Sequence, residues 1–391
     1  MELITPKTGV VPPTYVEGWH NIDDIKAMPY RPLGKDQRLV SLLSFGASSL
    51  AGVFRKDVTE SENFAVVEAA IRSGINVVDT APWYGFGESE KILGQALKSI
   101  PRSAYYLHTK VGRYLPNVLE QFDFTYKRTI RSVEESLQRL QVDYIDSVQV
   151  HDPEFAPSLD IILSETLPAL NEMKKQGKIR RIGITGYPLE ALRYLAEHCP
   201  ADIEIDTALS YCHYNLHDIS LITSGTLDYL NSKGIGTICG SPLSMGLLTQ
   251  RGPPAWHPSK PALKERCKNA ATYASEKGCD ISHLAMHYAL FSNEKIATIM
   301  VSSASLSRIQ HDIDIVKGKH PLTDNEKVVL KEILEKYFTG PEATAVQSWE
   351  GDEPAAYWIK LGKTLRTQWY VENGTFPEKI AAPSGSHSHK A

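Results

Sequence analysis

The sequence predicts a single α/β domain built as a (β/α)8 barrel, on three observations. Short apolar runs alternate with amphipathic stretches of helical period from about residue 39 onward, these runs number eight by residue 301, and several of them end on a polar residue able to do chemistry. Alternating strands and helices ask for a parallel sheet. Eight such units in a chain of this length match the TIM barrel, with a doubly wound open sheet as the alternative.

Residues 1–27 read as an N-terminal arm, and Met28 to Ser44 as holding a short hairpin that turns at Gly34-Lys35-Asp36 and caps the barrel bottom. Val40 to Phe45 is the first strand. Thr59 and Glu62 form a capping box for a helix with Phe64, Val67 and Ile71 as its stripe, ended by Gly74, and Asn76 to Asp79 is the second strand. Tyr105 to Thr109 is the third, stopping at Lys110. A helix opened by Thr125 sets Ile130, Val133, Leu137 and Leu140 on one face and leads to Ile145–Val150, the strand that stops at His151. Leu163, Leu167, Leu170 and Met173 mark a helix closed near Gly177. Ile179 to Thr185, Ile203 to Leu209, Ile235 to Gly240 and Ala297 to Val301 complete the set, which assigns residues 28–336 to the barrel.

Residues 337–391 break this pattern. Tyr337, Phe338, Trp349, Tyr357, Trp358, Trp369, Tyr370 and Phe376 make the segment too aromatic for a disordered tail. Most of this C-terminal extension is therefore expected to pack on the barrel, over its mouth or against its outer helices, with only about the last ten residues loose.

Composition removes whole classes of function. Among 391 residues, 42 Lys plus Arg stand against 46 Asp plus Glu, a formal charge of −4, which offers no basic field to nucleic acid or an anionic membrane. The apolar stretches fall short of the ~20 residues that span a bilayer. Cys199, Cys212, Cys239, Cys267 and Cys279 show no CxxC spacing and no neighbouring histidine pattern, so free thiols and no metal are expected. His387 and His389 are too few for a metal site, and the Asn373-Gly-Thr375 sequon has no secretory context. With no signal or transit segment at the N-terminus, and Ser-His-Lys-Ala at the C-terminus being neither a prenylation nor a retention signal, the cytoplasm is the expected compartment.

In such barrels function gathers where strands end. Asp79, Lys110 and His151 end three successive strands, and Tyr84 follows Asp79 by five residues in Ala-Pro-Trp-Tyr-Gly. Singly, each has a structural explanation: an N-cap aspartate, an exposed lysine, a core histidine. Together they put a carboxylate, an ammonium, a phenol and an imidazole into one mouth, a set suited to proton transfer coupled to another event. A phenol near pKa 10 needs help to act at neutral pH; a lysine beside it, held by an aspartate, stabilises the phenolate by about 1.4 kcal/mol for each tenfold gain in acidity. His151 would orient the substrate oxygen. Trp83 and Trp256 on mouth loops would wall a substrate pocket or pack on the surface, and His213 would be a pocket group or a satisfied buried histidine.

Asp79-Thr-Ala-x-x-Tyr84-Gly, Thr109-Lys110-Val-Gly and His151-Asp-Pro resemble the tetrad motifs of the aldo-keto reductase family, over residues 28 to 336. Ser210-Tyr-Cys-His-Tyr214, Ser241-Pro-Leu-Ser-Met-Gly-Leu-Leu-Thr249 and Gly252-Pro-Pro-Ala-Trp-His-Pro258 are similar to that family's galactose dehydrogenase subgroup. The resemblance implies NADP or NAD lying across the mouth without a Rossmann motif, and Asp79, Tyr84, Lys110 and His151 as catalytic residues. It implies hydride transfer between nicotinamide and C1 of a small aldose of the L-galactose, L-fucose or D-arabinose type, giving a lactone. NADPH-dependent reduction of aldehydes or ketones, and a nicotinamide-binding regulatory subunit with little turnover, are the alternatives.

The same resemblance assigns Thr185 and Tyr211 to the cofactor carboxamide, Ser241, Leu243 and Gly246 to its pyrophosphate, and Ser302, Ser303 and Arg308 to its adenosine phosphate. Arg308 favours a 2′-phosphate, while serine at position 302 replaces a lysine common among NADP users, and His311-Asp312 replaces the family's Glu-Asn at the adenine. Gly240 stands where many members carry an aromatic that stacks on nicotinamide, so stacking must come from elsewhere or be missing.

Overall fold

The computed structural model describes residues 3–52 and 58–373. A two-stranded antiparallel hairpin, β1 (Tyr30–Leu33) and β2 (Arg38–Ser41), precedes eight parallel strands that close on themselves. These are β3 (Leu43–Gly46), β4 (Val77–Asp79), β5 (Tyr106–Val111), β6 (Ile145–His151), β7 (Ile179–Gly186), β8 (Thr207–Tyr211), β9 (Gly236–Gly240) and β10 (Thr298–Ser302). They follow chain order around the barrel, and β10 pairs with β3 from Ile299↔Leu43 to Ser302↔Gly46. Closure rules out the open doubly wound sheet.

The run Val40–Phe45 is not one strand. The chain turns a corner at Leu42, because the Ser41 hydroxyl donates to the Leu43 carbonyl at 2.6 Å and the Ser41 N–H donates to Asn76 Oδ1 at 2.8 Å. Residues before the corner belong to the hairpin, and those after it enter the barrel. The run Ile203–Leu209 also shifts. Pairing with β7 begins at Gly183↔Thr207, while Ile203 and Ile205 are buried on the approach, giving an apolar signal ahead of the strand itself.

The helix Glu60–Arg72 opens with the Thr59–Glu62 capping box and buries Val66, Val67, Ala70 and Ile71, with Phe64 only half-buried. Tyr126–Leu140, capped by Thr125, buries Val133, Leu137 and Leu140. The predicted helix through Leu163 and Met173 is broken by a π-turn at Ile162–Thr166 before continuing as Leu167–Lys175. Gly94 lets two helices touch, since a Cβ there would lie 2.5 Å from the Arg139 carbonyl oxygen.

All five cysteines are free thiols. Among the described residues, no helix is long and apolar enough to cross a membrane. At the end of the barrel where its helices stop, the N-terminal arm is pinned by the Ile4 N–H on the Phe291 carbonyl (2.7 Å) and by Asn76 Nδ2 on Thr14 Oγ1 (3.0 Å). At the other end the chain beyond residue 337 forms a short turn, Pro341–Thr344, and a helix, Asp352–Asn373. Trp349 between them is 2% exposed, and Tyr357 reaches Phe122 and Phe155 beside β5 and β6. Of the two packings open to the extension, this places it over the mouth. Phe376, expected to pack, and the expected loose end with His387 and His389 lie outside the described residues.

Candidate active site

β4, β5 and β6 are neighbours, and their parallel register sets Asp79 beside His108 and Lys110 beside Gln149. Side chains at their C-terminal ends therefore converge. The Lys110 ammonium contacts the Asp79 carboxylate and donates to the Thr80 carbonyl at 2.8 Å. Gln149 Nε2 donates 2.7 Å to the other Asp79 oxygen. Lys110 and Asp79 are each 2% exposed at the side chain. Burial alone would discharge Lys110, yet Asp79 and the Tyr84 hydroxyl hold its pKa above that of an ordinary lysine.

Tyr84 arrives on the turn after β4. The turn is closed by the Tyr84 N–H on the Ala81 carbonyl and the Ser89 N–H on the Tyr84 carbonyl, each 3.1 Å. Gly85 is required there: its φ is +61°, and a Cβ would sit 2.5 Å from that of Ala51. The Lys110 nitrogen lies 4.8 Å from the centre of the Tyr84 ring, and the His151 ring meets it edge-on at 5.9 Å. The four side chains named from strand ends thus meet in one place.

The phenol differs from the sequence expectation. Burial pushes the Tyr84 pKa above 10, Lys110 pulls it back only in part, and the Asp79 and Asp152 carboxylates push it up again. One ammonium already paired with a carboxylate does not overcome desolvation. Tyr84 at rest is a proton donor. His151 is neutral, because burial lowers its pKa to about 3 against the opposing pull of Asp152, and Lys110 and Arg113 add to the fall. Its Nδ1 is buried without a partner, and its Nε2 is 3.6 Å from Asp152, beyond hydrogen-bond length.

Sequence reasoning missed the residues around this set. Gln149 could have been found by register, being opposite Lys110 on the next strand. Arg113 ion-pairs with Asp152 at 2.6 Å and lies 4.1 Å above the Trp83 ring. Asp152 holds a left-handed backbone, φ +54°, which turns the chain sharply after His151. Nothing local to these residues marks them out.

Of the expected pocket residues, Trp83 stands at the mouth beneath Arg113. Trp256 is 55% exposed and does not line the mouth cavity, whose aromatic wall includes Trp349 of the extension. His213 is the buried alternative: Asp218 lies 3.0 Å from Nδ1, Glu350 pairs with Nε2 by charge at 2.9 Å without hydrogen-bond geometry, and the Tyr187 ring stacks on it at 4.5 Å. Burial would lower its pKa, but these two carboxylates raise it to about 9.

This makes the His213–Glu350 contact a clasp for the extension. A group with a raised folded pKa stabilises below its unfolded value of about 6.5 and loses that contribution as pH rises toward 9. Lifting the extension removes Glu350 and leaves Asp218 on His213, so protease cleavage near Trp349 should accelerate as pH rises through about 9 in the native chain. In Glu350→Gln it should start fast and change little over that range; equal pH dependence in both would refute the clasp.

The expected cofactor residues lie along the mouth. Thr185 is the last residue but one of β7 and is buried, with the Asp152 N–H on its carbonyl at 2.8 Å. A Cβ at Gly240 would lie 3.3 Å from the Tyr211 ring, so this tyrosine fills the space that the glycine leaves. Ser241, Ser244, Met245 and Gly246 all have positive φ, making a tight loop after β9 in which Ser241 Oγ accepts the Met245 N–H at 3.0 Å and Leu243 is half-buried. The loop after β10 lies beside it, since Met300 pairs with Gly240.

There the Ser302 hydroxyl is held by Ser48 and Ser49, at 2.9 and 2.7 Å between hydroxyls and 3.0 Å to the Ser49 N–H. Ser303 Oγ accepts the Ser305 N–H at 3.1 Å. Arg308 is exposed, and one turn on Asp312 is pushed up to about 7 by burial, with Arg308 opposing. The residues present fit a nicotinamide: Ser210 Oγ and His151 Nδ1 are buried in the barrel wall without partners, free capacity for a ring bearing an amide.

Comparison with known proteins agrees with this geometry. Residues 42–335 match the Aldo/keto reductase family model. The chain is 46% identical over 288 residues to L-galactose dehydrogenase of Arabidopsis thaliana, a match covering 73% of this chain and 87% of that one. It is 33% identical over 283 residues to D-arabinose 1-dehydrogenase of Saccharomyces cerevisiae, covering 69% and 82%. Among solved structures, aldo-keto reductase AKR11C1 from Bacillus halodurans in its holo form aligns with a TM-score of 0.63 at 25% identity, covering 78% of this chain and 96% of that one. Because the matched span takes in every barrel strand and all four converging side chains, the chain belongs to the aldo/keto reductase family and is an NAD(P)-dependent oxidoreductase.

Proposed function

We propose that the protein is an aldose 1-dehydrogenase, oxidising C1 of a small neutral sugar of the L-galactose, L-fucose or D-arabinose type to a lactone, in the cytoplasm. The observation that carries the chemistry is the buried Lys110–Asp79 pair laid against Tyr84 beside a neutral His151. The substrate class is supported by the two sugar dehydrogenases to which the chain is similar.

Thr185, Tyr211, the 241–246 loop, Ser303 and Arg308 would hold the nicotinamide dinucleotide, which when bound supplies the hydride acceptor. His151 donates a hydrogen bond to the substrate oxygen and so fixes the C1 hydroxyl against Tyr84. Tyr84 exchanges the proton of that hydroxyl, and Lys110 stabilises the charge that forms on the phenol oxygen. Both NAD and NADP are proposed as cofactors. Arg308 offers a cation to a 2′-phosphate, whereas Asp312 one turn away and the engaged Ser302 hydroxyl weigh toward a free 2′-hydroxyl.

The test is a screen of aldoses with NAD and NADP, and of aldehydes and ketones with the reduced forms, followed by nicotinamide absorbance. Aldose oxidation should exceed carbonyl reduction in kcat/KM. Turnover confined to simple aldehydes would replace this reading by that of a reductase.

A further inference from the structure

We propose that the C-terminal segment completes the sugar subsite, with Glu154 and Glu353 reading substrate hydroxyls and Trp349 forming the wall between them. The proposal rests on the aldose reading above; Trp349 and Glu353 lie beyond the family match, which ends at 335, and Glu154 lies within it.

Contacts with the barrel hold the segment in place. The Trp349 ring stacks on Tyr187 at 4.7 Å, and the Trp349 backbone N–H donates to the Tyr187 hydroxyl at 2.9 Å. Glu350 meets His213, and Tyr357 stands edge-on to Phe122 and Phe155 at 5.0 and 5.6 Å. Between this segment and the barrel lies a cavity lined by Arg113, Asp152, Glu154, Tyr211, Trp349 and Glu353, one residue away from His151 through Asp152. Its aromatic faces offer flat apolar surface to the C–H side of a pyranose, and its carboxyl groups offer partners to the hydroxyls.

Glu154 has open bonding capacity. Its Oε1 accepts the Tyr187 N–H at 3.1 Å, while Oε2 is buried with no partner. Burial, with Asp152 adding, pushes its pKa up to about 8, so near neutral pH it presents both O–H and carboxylate forms. A sugar hydroxyl, itself donor and acceptor, can satisfy either. Glu353 stands at the solvent-side rim, where burial of its carboxyl and the nearby Asp152 push its pKa up and Arg113 and a Trp349 side-chain hydrogen bond oppose them in part.

The charge balance selects among sugars. Arg113, the cation in this lining, is engaged by Asp152 at 2.6 Å, so a phosphorylated or carboxylated sugar would meet carboxyl groups with no free positive partner. The cavity therefore takes neutral polyols and turns away sugar phosphates and uronic acids.

The test uses the full-length protein with Glu154→Gln and Glu353→Gln. The readout is the ratio of kcat/KM for aldose oxidation to that for reduction of propanal, which has no hydroxyl to be read, with cofactor Kd measured by fluorescence titration. The ratio should fall at least tenfold in Glu154→Gln and about threefold in Glu353→Gln, with cofactor Kd held within twofold. A purely structural role would lower both activities together and leave the ratio unmoved, which would overturn the proposal. If the parent enzyme reduces propanal but oxidises no aldose, the aldose reading itself fails and takes this subsite with it. If the parent oxidises aldoses and both variants keep the ratio, only the subsite assignment falls.

Discussion

Tyr84→Phe is expected to lower kcat for aldose oxidation by about 10³, within the 10²–10⁴ range of a positioned proton-transfer group, while cofactor Kd stays within twofold. The change removes one oxygen and keeps the ring that packs against Lys110 and His151. The barrel and cofactor seat should therefore be undisturbed, and cofactor titration beside steady-state kinetics separates loss of chemistry from loss of binding. Tyr84 also sets a direction in pH. Its pKa is above the ordinary phenol value, so the base form needed for oxidation is scarce at neutral pH. Oxidation in the parent should climb close to tenfold per pH unit from neutral into mildly alkaline solution, and reduction, which uses the protonated form, should not. Retained turnover in Tyr84→Phe, or oxidation that is flat in pH, would remove Tyr84 as the proton carrier.

How much of this was legible in the sequence depends on how local the signal is. The Thr59–Glu62 box and the strands ending at Asp79, Lys110 and His151 are written in periodicity and in residues a few positions apart, and the structure has them at or within a residue of the expected places. Strand limits move where an apolar residue is buried by something other than sheet pairing. Leu42 turns the corner between hairpin and barrel, and Ile203 and Ile205 sit ahead of β8. Gln149, Arg113 and Glu154 gain meaning only from partners far along the chain: Asp79 lies 70 residues from Gln149, and Asp152 lies 39 from Arg113. The extension is the extreme case. Its aromatic content announced packing, but that Trp349 would lie on Tyr187 depends on a contact spanning 162 residues. The sign of the Tyr84 shift was missed for a related reason: the identity of the neighbouring lysine is readable, whereas the depth of burial that outweighs it is not.

Asp79→Asn should be the most destabilising single change at the site. Lys110 and Asp79 are almost wholly buried, so removing one charge leaves the other desolvated and uncompensated, at a cost of about 3–5 kcal/mol. The pH dependence identifies the cause. In the native chain Asp79 and Tyr84 hold the Lys110 pKa above its ordinary value, so the folded protein keeps that proton throughout the neutral range. Without Asp79, burial is opposed only by the Tyr84 hydroxyl and drives the Lys110 pKa below that of the unfolded chain. The unfolded state then binds the extra proton, and stability rises with pH. The deficit of Asp79→Asn, measured by denaturant unfolding, should therefore shrink between pH 7 and about 9.5, while the parent shows no matching gain. Replacing both partners, Asp79→Leu with Lys110→Met, should cost less than the sum of the two single changes, because no lone charge is left in the barrel. A pH-independent deficit, or strictly additive losses, would show that the pair is held by packing and not by mutual charge compensation. Aldose turnover should fall in every member of the series, since Tyr84 loses the ammonium that stabilises its conjugate base.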